Sequence, residues 1–190
     1  MKTTLILALA LAGLSTAAFA DPPQPKIVVL DRAAIMQFSK AGQDIAKQMQ
    51  AYSAQAKADL QGEGRALEAE GKNLQQQVAI LAPDVKAKKV AAFEARQQAL
   101  QGQVAKKDEQ LRYAFALARQ QMEAKLGPIL QGLVKARGAN MVLDKQAVVF
   151  ATQGGFDITA DAINQLNQQL PSLKVNFNVT PPPAAPAPKK

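Results

Sequence analysis

Apolar positions recur along this chain in three rhythms. The first is a nearly continuous apolar run from Leu5 to Leu14, preceded by Lys2 and followed by Ala18-Phe19-Ala20. Such a run is about half the length of a membrane span. The basic start and small residues at both recognition positions mark residues 1–20 as a Sec signal peptide, cleaved after Ala20. The mature chain is then expected to start at Asp21, in the periplasm. The second rhythm is the short β-branched run of Lys26 to Asp31 (KIVVLD), the pattern of a strand buried on both faces.

The third rhythm fills residues 33–137. Apolar or small residues at Ile45, Met49, Tyr52, Ala56, Leu60, Gly64, Leu67, Gly71, Leu74, Val78 and Leu81 are spaced by threes and fours, as in a coiled-coil seam with a local stutter. Ala82-Pro83-Asp84 interrupts the pattern; proline cannot continue a helix interior, and Asp84 can cap the next helix. Phe93, Leu100, Val104, Leu111, Phe115, Ala118, Met122, Leu126, Ile129 and Leu133 form the seam of a second arm. The pattern predicts an antiparallel helical hairpin with arms of about 65 Å. Gly62, Gly64, Gly71 and Gly102 each cost about 1 kcal/mol relative to Ala in a helix. Those glycines predict either an easily bent hairpin or simply a tolerant surface helix.

Strand and turn chemistry returns after the hairpin. Val142-Leu143-Asp144 repeats Val29-Leu30-Asp31, then Val148-Val149-Phe150 reads as a further strand before Gly154-Gly155. Asp157 or Thr159 is expected to cap a short helix carrying Ile163, Leu166 and Leu170, with Asp161 in its first turn. Leu173 to Val179 (LKVNFNV) alternates as a possible last strand, and residues 181–190 form a solvated Pro/Ala tail. The fold class is therefore α+β. Residues 21–32 and 138–180 make a small β-rich body, and the hairpin of residues 33–137 is a long insertion in it.

Composition narrows the possibilities. There is no cysteine, histidine or tryptophan, so disulfides, the commonest general base and the commonest metal ligand are all missing. A body of about 55 residues is marginal alone. Oligomerisation remains as the stabiliser, which predicts a trimer or similar closed assembly whose strands bury one another through Ile27, Val29, Val142, Val148 and Phe150. No phosphate-binding loop, GxSxG or HExxH pattern occurs, and Glu68 and Glu70 lie on different faces of a helix. The chain is expected to be no enzyme and to use no cofactor or metal.

Charge is unevenly spread. The chain has 23 basic and 15 acidic residues. Residues 33–81 are balanced, whereas the second arm carries the excess: Lys86, Lys88 and Lys89 beside the tip, then Arg96, Lys106, Lys107, Arg112 and Arg119. Such a surface attracts acidic polypeptides and speeds their capture, and lipopolysaccharide or anionic lipid is a further possible partner. Met36, Met49 and Met122 offer adaptable apolar contacts. The same charges and methionines also suit a solvated face and a helical core. A nucleic-acid role is disfavoured by the export signal and scarce aromatics.

Lys26 to Gly42 (KIVVLDRAAIMQFSKAG) and Ala139 to Asn167 (ANMVLDKQAVVFATQGGFDITADAINQLN) resemble the Skp/OmpH family, with DITADAINQL the most specific piece. Within the hairpin the resemblance is mainly of periodicity and composition. It implies a jellyfish-shaped homotrimer, in which three helical tentacles surround a cavity that holds unfolded outer-membrane β-barrel proteins without nucleotide. A passive coiled-coil spacer of the cell envelope would share the export signal and the hairpin, and is the alternative.

Overall fold

Each Val-Leu-Asp triplet ends a strand and starts a helical turn. The chain's computed structural model describes residues 24–150 and 155–180. The expected signal segment, its expected cleavage site and the Pro/Ala tail lie outside the described residues. Strand β1 (Ile27–Leu30) pairs in parallel with β2 (Met141–Asp144), with Val28 opposite Val142 and Leu30 opposite Asp144. The two triplets are thus one residue out of step, and each aspartate works locally. Asp31 accepts from the Ala34 N–H at 2.8 Å and caps α1 (Arg32–Phe38). Asp144 accepts from the Gln146 N–H at 3.0 Å and caps a single 3-10 turn, Lys145–Ala147. On its other side β1 is held by Phe156 and Ile158, through Val29 N–H to Phe156 O at 2.8 Å and Ile158 N–H to Val29 O at 2.9 Å. β1 is therefore central, and Val28, Val29 and Leu30 are all buried, as a strand covered on both faces requires.

Helix α1 stops at Ser39, whose hydroxyl oxygen accepts from the Gly42 N–H at 3.1 Å and caps the first arm, α2 (Lys40–Gln77). Ser39 is fully buried, and its hydroxyl also points at the Met122 sulfur, 3.9 Å away. α1 turns back so tightly that a side chain at Gly42 would collide with the Met36 carbonyl. The second arm, α3 (Pro83–Ala136), starts with proline at its first position, where the missing N–H costs nothing. Ala82, not Asp84, is its N-cap; Asp84 sits in the first turn and faces the helix dipole. α3 ends in a Schellman turn: Gly138 adopts φ 58°, its N–H donates to Lys135 O, and the Ala139 N–H donates to Val134 O. Helix α4 (Thr159–Gln169) has Ile158 as its N-cap. Asp157 still accepts from the Thr159 N–H at 2.9 Å, and the Thr159 hydroxyl oxygen accepts from the Asp31 N–H at 2.9 Å.

One core joins these elements. Val28 and Leu30 from β1, Ile35 from α1 and Ile45 from α2 meet Met122, Leu126, Ile129 and Leu133 of α3, the N-cap Ile158, and Ala162 and Leu166 of α4. The roots of both arms thus supply much of the apolar surface that the terminal segments lack. The body is less β-rich than the sequence suggests. Val148–Phe150 forms no strand; Val149 and Phe150 stand exposed after the 3-10 turn. Leu173–Val179 is extended, but its backbone pairs with side chains of α2 rather than with a strand. No described helix is long and apolar enough to cross a membrane.

Candidate functional site

The distal arms form a thin two-helix rod. From residue 57 to residue 113 no side chain is buried; the seam residues Leu60, Leu67, Leu74, Val78, Phe93, Leu100 and Leu111 are half-buried. Two helices have too little facing surface to cover one another's apolar stripe. At Gly71 the ring of Phe93 fills the place of a side chain, 3.0 Å from where a Cβ would stand. Arg96 bridges to Glu70 at 2.6 Å and Lys89 donates to Gln77 Oε1 at 2.8 Å, clamping the arms near the tip. An open groove of about 710 Å³ runs beside these contacts, lined by Leu67, Leu74, Val78, Val90 and Phe93. Ile80 projects from the tip, 85% exposed.

The basic residues sit in three different settings. Lys86, Lys88 and Lys106 are exposed and make no ion pair among the described residues. Lys89, Arg96, Arg112 and Arg119 are exposed but engaged, the last two with Asp108 at 2.7 Å and Glu123 at 3.5 Å on their own helix. Lys107 lies 5.4 Å from the centre of the Tyr52 ring, a cation–π contact across the arms. The residues with no such contact are thus Lys86 and Lys88 near the tip and Lys106 farther along α3.

Among the methionines, Met122 is 3% exposed and packs in the core with residues of β1, α1 and α4, so it cannot meet a partner. Met36 and Met49 are half-buried at the core's edge. Val104 and Phe115, expected in the seam, are instead exposed, and Ala114 takes the inward place.

The body's assembly residues also divide. Val29 is 4% exposed and packed within its own chain, so it cannot form an interface. Ile27, Val142 and Phe150 are exposed, and Val148 is half-buried. With Met141 and Val149 they are exposed or half-exposed apolar side chains on and just after β1 and β2, and β2 has no partner on its outer edge among the described residues. An open edge beside exposed apolar side chains is a surface suited to pairing with another chain.

Sequence reasoning placed Tyr52 in the seam and gave no role to Asp44 or Gln48, the residues of α2 that meet Leu173–Val179. The Leu173 N–H donates to Asp44 Oδ2 at 3.2 Å, and Gln48 Nε2 donates to Leu173 O at 2.7 Å. The Val175 N–H donates to Gln48 Oε1 at 3.0 Å, and Phe177 stacks on Tyr52 with ring centres 4.1 Å apart and 4° between the planes. The alternation of LKVNFNV was a visible signal, but it could not show that the partner would be a helix.

Among the described residues no cluster of acidic side chains could hold a metal ion. What the arrangement offers is long, shallow, repeated contact surface on a rigid base, the layout of a binding scaffold. The sequence profile of the outer membrane protein (OmpH-like) family matches residues 26–166, well over half the chain. The protein therefore belongs to the OmpH-like family, and so is not an enzyme. It is similar in structure to a candidate outer membrane chaperone (OmpH-like) from Caulobacter crescentus, with TM-score 0.73 and 22% identity, over 82% of this chain and 91% of that one. No curated protein matches the chain.

Proposed function

We propose that the protein is an ATP-independent periplasmic holdase that binds unfolded outer-membrane β-barrel proteins between the arms of a homotrimer and keeps them from aggregating. Membership in the OmpH-like family and the likeness to the Caulobacter candidate chaperone support the general role. The observation that carries the finer reading is the distal rod, in which no side chain from residue 57 to residue 113 is buried. A helical pair that only spanned a distance would gain by sealing its seam. This one keeps the seam half open and places unpaired lysines and Ile80 at its end.

Three such arms around one space would hold a client through many weak contacts at high effective concentration. Binding lowers the free client concentration and with it the aggregation rate. A client that folds into the membrane leaves this equilibrium, so release needs no fuel. The exposed apolar side chains of Ile27, Met141, Val142 and Phe150 beside the free edge of β2 support trimerisation, because pairing that edge with another chain would cover them.

The test is dilution of a urea-denatured porin into buffer with the mature protein, followed by light scattering, with mass measured by analytical ultracentrifugation. A holdase suppresses scattering at one trimer per porin and sediments with it as a complex. A monomer at micromolar concentration that leaves scattering unchanged would refute the proposal and favour a passive spacer.

A further inference from the structure

The side-chain amide of Gln48 contacts its own C-terminal segment as a neighbouring β-strand would. It donates to the Leu173 carbonyl and accepts from the Val175 N–H, the two groups flanking Lys174. One residue in a parallel ladder engages its partner strand at this same pair, its N–H donating to one carbonyl and its own carbonyl accepting from the amide two residues further on. Asp44, one turn earlier, takes the Leu173 N–H, and Tyr52, one turn later, stacks on Phe177. Thus Asp44, Gln48 and Tyr52 read an extended chain along one helix face. Leu173, Val175 and Phe177 turn toward the arm, while Lys174, Asn176 and Asn178 turn to solvent. Apart from the ring stack and the Leu173 contact, recognition goes to backbone and to alternation, and both are tolerant of sequence.

We propose that this face of α2 is a binding site for extended polypeptide with alternating apolar and polar residues, filled in cis by Leu173–Val179 and opened to strand-forming segments of a client. The proposal rests on the holdase reading for the identity of that client. Transmembrane barrel strands carry this alternation, so an unfolded barrel chain offers many copies of the pattern that the cis segment shows once. The cis segment is tethered at an effective concentration of about 1 mM. A free peptide at micromolar concentration competes poorly against it. A client already held among the arms is itself confined at a similar concentration and can exchange with it.

The full-length mature chain carrying Val175→Asp and Phe177→Asp loosens the segment at two half-buried positions without touching the arm. A fluorescein-labelled peptide of residues 171–180 (PSLKVNFNVT) is the probe, read by anisotropy. It should bind the loosened variant at least tenfold more tightly than wild type. A peptide of the same composition with its apolar residues run together should not, and adding Gln48→Leu should abolish binding. Equal binding to variant and wild type, or to both peptides, overturns the proposal. A second measurement needs no variant: hydrogen exchange at the Leu173 and Val175 amides of the wild-type protein. Adding urea-diluted porin should speed their exchange about tenfold. If light scattering shows the porin held while these amides stay protected, the site is not a client site. If porin aggregates regardless while the alternating peptide still binds selectively, the holdase reading falls and the backbone-reading site stands.

Discussion

Replacing Gly42 with Ala should destabilise the protein, although the same substitution at other glycines of the arms should stabilise it. In a helix interior, Gly→Ala ordinarily gains about 1 kcal/mol. At Gly42 the added carbon would overlap the Met36 carbonyl, which is backbone and cannot rotate away. Forcing an extra carbon into such a contact costs about 1–3 kcal/mol. Gly42 also supplies the N–H that Ser39 caps, and losing that cap costs about 1 kcal/mol more. Set against the propensity gain, the net loss is about 2 kcal/mol, a drop of about 4–8 °C in melting temperature for a chain of this size. Gly62, Gly64 and Gly102 have open space where a methyl group would stand, with nothing within 4 Å, so Ala at each should raise stability by up to about 1 kcal/mol. The assay is thermal unfolding followed by circular dichroism at 222 nm, at matched protein concentration because assembly shifts the midpoint. A Gly42→Ala protein that melts at or above wild type would refute the tight packing of α1 on α2.

Three further outcomes are expected. Val142→Asp should break assembly while leaving a folded protomer, whereas Val29→Asp should unfold it, because only Val29 is buried within its own chain; ultracentrifugation with circular dichroism separates the two, and identical behaviour would count against the division. Glu at Lys86, Lys88 and Lys89 should slow capture of an acidic denatured porin at low salt, with the difference fading at high salt; an unchanged stopped-flow rate excludes steering from the tip. Burial pushes the Asp157 carboxyl up, but hydrogen bonds from Thr159 and the Lys145 ammonium outweigh this and hold it below its ordinary value. Its stabilising contribution is therefore complete above about pH 4 and is lost as pH falls through the lowered value. Asp157→Asn should accordingly weaken the body at neutral pH and flatten the acid limb of its stability profile; an unchanged acid limb would remove Asp157 from the account.

Local chemistry fixed much of what the sequence determined by itself. Pro83 ends one helical pattern and begins another, because a missing N–H costs nothing at a helix start, whereas Pro128 inside α3 gives up a helical hydrogen bond. KIVVLD and MVLD are strands because their β-branched runs suit a covered ladder, and each closing aspartate caps the turn that follows. The family resemblance at Lys26–Gly42 and Ala139–Asn167 was legible for the same reason, since both stretches fall almost wholly within residues 26–166 matched by the family. Tertiary structure decided which surface each pattern met. α3 carries small and apolar residues on several faces, so spacing alone could not show that its inward stripe shifts from one facing α2 to one facing the body. That shift puts Ala114 and Met122 inside and leaves Val104 and Phe115 outside. The two-residue alternation of Leu173–Val179 is likewise the same whether the backbone pairs with a strand or with Gln48. A periodicity records that one side of an element is covered; the covering partner is set by contacts more than a hundred residues apart, which no local window contains.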